Sequence, residues 1–287
     1  MTTRRQFLMA AIAAQVRAED DSIAFRRNGR LLFQYRFASS LAKPYVHPLC
    51  APSGRVMTLD SPPDHVHHHG LMLAWSDVNG YDFWGETNPA PHGRIVHHRV
   101  RRRRANPPEL ATLNHWVAEG RVLLVERRML RAPAVTPDAV WLEWESELAA
   151  ASDPVILAAE KHVYNGLGIR FPREMDRGRV LNSAGATEVK QADGQPAQWC
   201  AYWATPGGAS CGLAIFDHPG NPRHPSAFFV MNEPFGYLSA APTYREPFRI
   251  EPGRRLVLRW AVVAFDGPAE TARLAGWYRR WTGGRTA

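Results

Sequence analysis

Hydrophobic and polar residues alternate with a period of two along much of the chain, and this pattern predicts β-strands. Residues 31–37 and 121–127 follow it. In residues 141–148, glutamates occupy positions 143, 145 and 147, so one face of this strand is predicted to be acidic and the other apolar. Residues 256–265 are apolar apart from Arg259, which predicts a strand buried on both faces.

A helix is predicted only near the C-terminus. Residues 266–270 provide an acidic start with a proline in the first turn. An apolar stripe at helical spacing follows, formed by Leu274, Trp277, Tyr278 and Trp281. Many strands, one terminal helix and no regular alternation of strands with helices predict an all-β fold, a large antiparallel β-sandwich. The chain shows no internal repeat and no low-complexity linker, so we expect one domain over residues 19–287.

The first 18 residues resemble a twin-arginine export signal. Arg4 and Arg5 precede a short apolar stretch, residues 7–16, and a small-residue cleavage site follows at residues 16–18. We therefore expect the twin-arginine export machinery as a partner, and a location in the periplasm or outside the cell. Residues 1–18 are left out of the fold prediction.

Composition excludes several classes of function. The net charge is +8, and three of its positive charges (Arg4, Arg5 and Arg17) belong to the predicted signal, which leaves +5 for the rest of the chain. The densest basic run is residues 101–104, four consecutive arginines. A nucleic-acid-binding protein is expected to carry more than one such run, with aromatic or groove-entering elements beside it, so nucleic-acid binding is not predicted. No run of about 18 apolar residues occurs, so no membrane-spanning helix is predicted. The three cysteines form no C-x-x-C pair and no four-ligand zinc set.

The segment most indicative of chemistry is residues 64–70, which hold four of the 12 histidines. If this segment is extended, His65, His67 and His69 share one face and His68 points to the other. The H-x-H spacing makes His65 and His67 candidate ligands of a divalent metal, with Asp64 as an oxygen ligand or an orienting group. Equally, a neutral imidazole is a suitable general base near pH 7, and a neighbouring carboxylate fixes its tautomer. The sequence leaves both interpretations open, so no cofactor is required and a divalent metal is not excluded.

Two further polar segments are candidates for a site. Residues 160–165 place acid, base and amide groups close together around His162. Residues 217–225 form a loop stiffened by prolines, and stiff loops on a β scaffold hold site residues with little loss of entropy. The polar residues of this loop include Asp217, His218 and Asn221.

Six short motifs are shared with a known family: residues 43–48, 64–70, 78–84, 168–170, 182–185 and 216–223. Through them the chain resembles the bacterial family labelled methane oxygenase PmoA-like, over essentially all of residues 19–287. We reject the activity that this label implies. The corresponding subunit of particulate methane monooxygenase is an integral membrane protein, and this chain has no predicted membrane span.

A weaker similarity is to sugar-acting enzymes of the galactose-mutarotase-like supersandwich group. Residues 69–70, 162–165 and 252–253 carry it. The resemblance implies a supersandwich architecture in which one histidine protonates the ring oxygen and a glutamate late in the chain acts as base. Glu233 is the nearest candidate for that base, and Glu246 is the second.

Three functions fit these residues. The first is an exported carbohydrate-active enzyme that hydrolyses, eliminates or epimerises a small-molecule or glycan substrate by histidine and acid general acid–base chemistry. The second is a metal-dependent enzyme with histidine ligands, and the third is a non-catalytic glycan-binding protein. For the first function, Arg170 is expected to hold a carboxylate or a developing oxyanion. The predicted catalytic residues, all expected in one cleft, are His67, His68, His162, Arg170, His218 and Glu233. The predicted substrate-binding residues are Asp64, Trp75, Asn79, Trp84, Asp217 and Asn221.

Overall fold

The computed structural model describes residues 14–19, 21–87, 89–133, 138–158 and 162–283. The strands are β1 (Ala14–Glu19), β2 (Ser22–Arg27), β3 (Arg30–Arg36), β4 (Tyr45–Leu49), β5 (Leu71–Ala74), β6 (Arg94–Ala105), β7 (Pro108–Ala118), β8 (Arg121–Arg131), β9 (Ala139–Ala150), β10 (Val155–Leu157), β11 (Gly166–Arg170), β12 (Arg179–Asn182), β13 (Trp199–Ala204), β14 (Cys211–Asp217), β15 (Phe228–Met231), β16 (Tyr237–Ala240), β17 (Phe248–Ile250) and β18 (Arg255–Asp266). The helices are α1 (Val189–Ala192) and α2 (Thr271–Gly283), with two short 3₁₀ turns at Arg173–Met175 and Pro206–Gly208.

Within the described residues, two eight-stranded antiparallel sheets form a sandwich. The first sheet has the order β1-β2-β3-β4-β5-β11-β16-β15, and the second has the order β12-β13-β14-β18-β9-β8-β7-β6. Strands β10 and β17 pair separately. Apolar residues from the facing sides of both large sheets belong to one core, which includes Phe25 and Leu73 of the first sheet and Leu142 and Trp260 of the second. The predicted antiparallel β-sandwich is therefore confirmed.

Helix α2 covers the outer face of the second sheet. Its predicted apolar stripe, which includes Trp277 and Trp281, packs on Phe216 of β14 and Val263 of β18. Strand β18 is buried on both faces over residues 260–265, whereas Val257 and Arg259 are half-buried, so the burial predicted for residues 256–265 holds for the second half of the stretch. The sequence pattern did not predict α1, because four residues are too few to show a helical period.

Alternation also determines the outer face of β9. Glu143, Glu145 and Glu147 are half-buried there, while the residues between them are buried. Their carboxylates pair with arginines of neighbouring strands, for example Glu145 with Arg259 at 2.8 Å and Glu147 with Arg255 at 2.9 Å. The predicted acidic face is therefore neutralised within the sheet.

The described chain begins within the segment predicted to be an export signal. Arg4, Arg5 and most of the apolar stretch lie outside the described residues, and residues 14–19 form β1, which pairs with β2. Export, location and the domain boundary at residue 19 therefore stay predictions. None of the helices in the described ranges is long and apolar enough to cross a membrane.

Candidate active site

A pocket of about 360 Å³ opens on the face of the first sheet that points away from the sandwich core. Tyr237 of β16 forms part of its floor, and its phenol lies over Gly168 of β11, where an added Cβ would come within 2.0 Å of the Tyr237 hydroxyl oxygen. The absence of a side chain at position 168 thus makes room for this ring. The lining residues are His65, His67, His68, Asp82, Trp84, Gly85, His162, Tyr164, Phe229, Met231, Phe235 and Tyr237.

The histidine segment is a pair of turns rather than an extended strand. The backbone N–H of His65 donates to the carbonyl of Pro62, and that of His68 donates to the carbonyl of His65. The predicted alternation of ring directions is therefore wrong. The rings of His65, His67 and His68 instead form one cluster with centroid distances of 4.7 to 5.6 Å, and all three line the pocket.

His68 has a defined tautomer. Its Nδ1 lies 3.3 Å from Nη1 of Arg170, and because a guanidinium only donates, this nitrogen must be the acceptor. Burial, followed by the nearby His67, lowers the pKa of His68 to about 2, so the ring is neutral at pH 7. A neutral ring that accepts at Nδ1 carries its proton on Nε2. His68 is therefore a hydrogen-bond donor within an aromatic surrounding that includes Trp84 and Tyr237.

Arg170 lies behind the pocket rather than in it. It is 1% exposed, its guanidinium lies 3.5 Å from the ring centroid of Phe235, and its Nη2 donates to Oδ2 of Asp64 at 2.9 Å. Its predicted role of holding a substrate carboxylate or oxyanion is corrected, because its contacts are with His68 and Asp64 and it does not line the pocket. Arg170 is therefore a positioning residue.

Asp64 also acts through its neighbours. Its Oδ2 lies 3.0 Å from Nδ1 of His65, and its Oδ1 accepts from Arg173 at 3.1 Å. Partial burial opposes ionisation, but the hydrogen bonds from His65 and Arg170 hold the pKa of Asp64 well below its usual range. The carboxylate is thus ionised and orients the His65 ring, whereas the sequence had suggested contact with substrate.

His67 is a second neutral imidazole. Burial, and then the positive charge of Lys43, lowers its pKa to about 4. Its ring meets the indole of Trp84 edge-on, with centroids 4.9 Å apart. At pH 7 His67 is therefore unprotonated and available as a base.

A buried charged network, absent from the sequence prediction, adjoins these histidines. The two ring nitrogens of His69 lie 3.0 Å from Asp60 Oδ1 and 2.9 Å from Glu86 Oε1. Burial opposes protonation of His69, but the hydrogen bonds to Asp60 and Glu86 raise its pKa, which favours the imidazolium. Fully buried Lys43 forms an ion pair with the same Glu86 oxygen. Both ring nitrogens of His69 face carboxylate oxygens, which only accept, so the imidazolium form is favoured and His69 does not share the role predicted for its neighbours.

Of the other predicted residues near this pocket, Trp84 and His162 line it, and His162 stacks on Tyr164 with ring centroids 4.8 Å apart. Residues 159–161, which include the acid and base predicted beside His162, lie outside the described residues. Trp75 belongs to the sandwich core, where its Nε1 donates to Thr243, so its predicted contact with substrate is corrected.

The predicted contact of Asn79 with substrate is also corrected, because its side chain is engaged elsewhere. It lies in an exposed turn, and its amide donates to the carbonyl of Pro154 and accepts from the backbone N–H of Ile156. These bonds close the turn against a neighbouring strand. The structure thus assigns Asn79 a local role outside the pocket.

The loop at residues 217–225 does not reach the pocket. Asp217 is fully buried and accepts from Asn221, from His224 and from the backbone of Ser226. Asn221 in turn bonds both backbone groups of Arg259. These contacts close the loop onto β18, so the predicted roles of Asp217 and Asn221 in substrate binding are corrected.

His218 lies against helix α2, with its ring centroid 5.2 Å from that of Trp281, and it does not line the pocket. Glu233 is exposed and pairs with Arg177 at 3.2 Å, and exposed Glu246 pairs with Arg223 at 3.7 Å. Neither glutamate lines the pocket. The structure therefore does not bring His218 or a late glutamate together with His67, His68 and His162.

Residues 22–279 match the model of a protein family of unknown function, DUF6807. The chain belongs to this family. The PmoA-like assignment drawn from the six motifs is therefore corrected, because the matching family is DUF6807 and no activity is described for it. Among curated proteins, none matches the sequence.

Several solved structures are distantly similar to this chain. The heparinase III BT4657 gene product is 13% identical with a TM-score of 0.39 over 90% of this chain, and its form with methylated lysines is 13% identical with a TM-score of 0.40 over 92%. This DUF6807 protein covers 36% and 37% of those two chains, about a third of their length. A TPR-domain containing protein from Parabacteroides distasonis is 11% identical with a TM-score of 0.25, over 89% of this chain and 47% of that one. These similarities are too low to support an argument about function.

The predicted metal pair, His65 and His67, has no further ligand among the described residues. Within the described ranges of this DUF6807 protein, no group of three or more histidine, cysteine, aspartate or glutamate side chains is placed to hold a metal ion. The His65 Nδ1 is already bonded to Asp64, and the ring centroids of His65 and His67 are 5.6 Å apart.

The buried neutral state of His68 predicts a pH dependence of stability. Its pKa is about 2 in the folded protein against an ordinary value of 6.5, so below pH 6.5 the unfolded chain gains a proton that the folded chain does not. The free energy of unfolding should therefore fall as the pH falls from 6.5, by up to about 1.4 kcal/mol per pH unit from this group. His68→Gln keeps an acceptor for Arg170 and removes the titration.

We expect urea unfolding to show that wild type loses stability relative to His68→Gln between about pH 7 and about pH 5. Contributions from His69, Asp60 and Glu86 cancel in this comparison because both proteins contain them. A difference in stability that is independent of pH would contradict the buried neutral imidazole.

Proposed function

We propose that this DUF6807 protein is a carbohydrate-active enzyme that transfers protons between neutral histidines and a sugar. The observation that carries the proposal is that His67 and His68, both uncharged at pH 7, line one pocket with an aromatic wall. Trp84, Tyr164 and Phe235 offer ring faces and edges of the kind that pack on the apolar faces of sugars. A volume of about 360 Å³ is within the usual range for a small-molecule site.

The reaction class follows from the lining residues. Hydrolysis of a glycosidic bond ordinarily uses a pair of carboxylates. Among the described lining residues Asp82 is the only carboxylate, and its Oδ1 accepts from the backbone N–H groups of Trp84 and Gly85. Proton abstraction by histidine, leading to elimination or epimerisation, is therefore favoured over hydrolysis.

In this mechanism His67 takes a proton from the sugar carbon next to a carbonyl or carboxylate group. Negative charge develops on the neighbouring oxygen, and this oxygen accepts a hydrogen bond from Nε2–H of His68. Arg170 holds His68 in the tautomer that can donate this bond. If a proton from water is added to the opposite face of the carbon and His67 releases its own proton to water, the product is an epimer. If the oxygen on the next carbon leaves, the imidazolium formed at His67 gives its proton to that oxygen, and the product is an unsaturated sugar. Asp64 accepts from Nδ1 of His65, so a neutral His65 has no proton on Nε2 to supply in this step.

The test is a turnover screen on uronic and oxidised sugars with wild type, His67→Ala and a matched control, His115→Ala. His115 lies on β7 and stacks on His98, away from the lining residues. Elimination is read by the ultraviolet absorbance of an unsaturated product, epimerisation by NMR, and hydrolysis by new reducing ends. We expect His67→Ala to lose at least about 100-fold in kcat/KM while still binding the sugar, and His115→Ala to match wild type.

Equal turnover by His67→Ala and wild type would contradict the proposed chemistry. Sugar binding by wild type without turnover of any sugar in the screen would favour a non-catalytic glycan-binding protein. In that case Trp84→Ala should abolish binding, because the indole is a large part of the aromatic wall. We further propose, from residues 1–18 of the sequence, that the protein is exported by the twin-arginine machinery and acts in the periplasm or outside the cell.

A further inference from the structure

The proposed pocket does not account for the arginine run of β6. This strand is last in the order of the second sheet, and among the described strands it hydrogen-bonds only to β7. Residues 98–105 are all exposed, and they include arginines at positions 99, 101, 102, 103 and 104. At about 3.3 Å per residue, the stretch from 99 to 104 presents its positive charge over roughly 17 Å.

Most of this charge is not neutralised by the fold. Arg102 pairs with Glu109 at 2.6 Å, and Glu109 is shared with Arg131. By contrast, Arg99, Arg101 and Arg104 form no ion pair with any residue in the described ranges. This differs from the arginines beside β9, whose partners are the glutamates of that strand. Closely spaced like charges repel, so folding alone gives no reason for this run.

We propose that β6 is a binding surface for an anionic polysaccharide, whose sulfate or carboxylate groups pair with Arg99, Arg101 and Arg104. A linear polyanion matches an extended row of charges better than a small ion does, because it neutralises several of them at once. The pairing of this row with β7 is interrupted by two irregularities, between His97 and Arg99 and between Val100 and Arg102, which increase the local twist. The added twist turns the arginine side chains of β6 in different directions around the edge of the sheet.

A nucleic acid is the competing polyanion, and two observations disfavour it. Strand β6 contains no phenylalanine, tyrosine or tryptophan on which bases could stack. The second observation is the sugar-sized pocket, so the choice of a polysaccharide rests on the proposed function. A surface that binds the polymer would hold it on the same molecule that acts on its sugar units.

The experiment measures binding to heparin, a sulfated chain, and to polygalacturonate, a carboxylated chain, over a range of salt concentrations. The test variant is R99S/R101S/R104S, which leaves the Arg102–Glu109 pair intact. The matched control is R254S/R279S/R280S, which removes three exposed arginines elsewhere and gives the same net charge. The variant R99K/R101K/R104K keeps the charge. Thermal unfolding of each variant verifies that it is folded.

We expect the test variant to bind at least one of the two polysaccharides at least about 10-fold more weakly at low salt, with the slope of log Kd against log salt reduced by about 2 to 3. The control and the lysine variant should bind as wild type does. Preference for heparin would identify sulfate as the recognised group, and preference for polygalacturonate would identify carboxylate. Equal weakening by test and control variants, absence of binding by wild type, or tighter binding of duplex DNA than of either polysaccharide would overturn the proposal.

Two variants distinguish a wrong assignment of the β6 binding surface from a wrong assignment of the catalytic pocket. His67→Ala should still bind the polysaccharide because β6 does not contribute to the pocket, and R99S/R101S/R104S should still turn over a small sugar. Loss of polysaccharide binding in His67→Ala would show that the pocket, and not β6, holds the polymer.

Discussion

Glu126→Gln is expected to lower the free energy of unfolding by about 3–5 kcal/mol, because it leaves a charged arginine buried in the sandwich core without a counter-ion. Glu126 and Arg128 are adjacent inward-facing residues of β8, and each is essentially fully buried. The carboxylate accepts two bonds from the guanidinium, at 2.8 and 2.9 Å, and further bonds from Ser146 at 2.6 Å and Trp116 at 3.1 Å.

The same ion pair connects the core to the segment that leads to the pocket. Arg128 Nη1 donates to the carbonyl of Pro44 at 3.0 Å, and Pro44 lies between Lys43 and Tyr45, which adjoin the His69 network. Loss of the carboxylate should therefore loosen this segment as well as the core. The expected change is measured by urea unfolding at neutral pH.

A matched control for this prediction is Glu251→Gln. Glu251 pairs with Arg249 at 2.6 Å, but the side chains are 49% and 56% exposed. Its removal should change the free energy of unfolding by less than about 1 kcal/mol, since solvent screens exposed pairs. Replacing both core partners, as Glu126→Gln with Arg128→Met, should recover part of the loss because no uncompensated charge remains. A loss below about 1 kcal/mol for Glu126→Gln alone would contradict the assignment of a buried ion pair.

Arg170→Met is expected to lower kcat/KM by about 100-fold if the proposed chemistry holds, although Arg170 does not line the pocket. The guanidinium holds His68 as the Nε2–H tautomer and holds the Asp64 carboxylate that orients His65. Without it, the His68 ring is free to adopt the other neutral tautomer, in which Nε2 has no proton to donate. The loss should appear mainly in kcat.

A readout that a purely structural role would not change is the state of His68 itself. Nitrogen NMR of the histidines should show the Nε2–H tautomer in wild type and a mixture in Arg170→Met. The positive charge of Arg170 also contributes to the low pKa of His68, so the pKa of His68 should rise in the variant.

Arg173→Met is the control, because exposed Arg173 contacts only the other oxygen of Asp64 and does not touch His68. It should leave the tautomer of His68 unchanged and reduce activity only slightly. An unchanged tautomer and an unchanged pKa of His68 in Arg170→Met would contradict the positioning role.

Local patterns of apolar and polar residues were sufficient to predict the architecture. The alternation in β9, the apolar composition of β18 and the stripe of α2 each predicted an element that the structure contains. Such patterns work because the period of side-chain directions in a strand or helix is set by the backbone of that element alone. The inward position of Glu126 and Arg128 could not be predicted in this way, because charged residues are ordinarily expected on the outer face.

The site could be predicted only in part. The histidine segment and Trp84 were identified, because an unusual density of imidazoles is visible in the sequence, and His67, His68 and His162 do line one pocket. The loop at residues 217–225 was misinterpreted because a polar, proline-rich composition is the same in a binding loop and in a closed turn. Its bonds with Arg259 show that it is a closed turn.

By itself, the sequence determined that this protein is an antiparallel β-sandwich with a C-terminal helix and a concentration of histidines near one strand. Only the tertiary structure decided which histidines are neutral, which is a cation and which nitrogen bears the proton. The physical reason is that protonation depends on burial and on partners distant in the chain. His68 is 102 residues from Arg170, and His69 is 17 residues from Glu86, and the pattern within one strand or helix does not relate residues that lie in different segments.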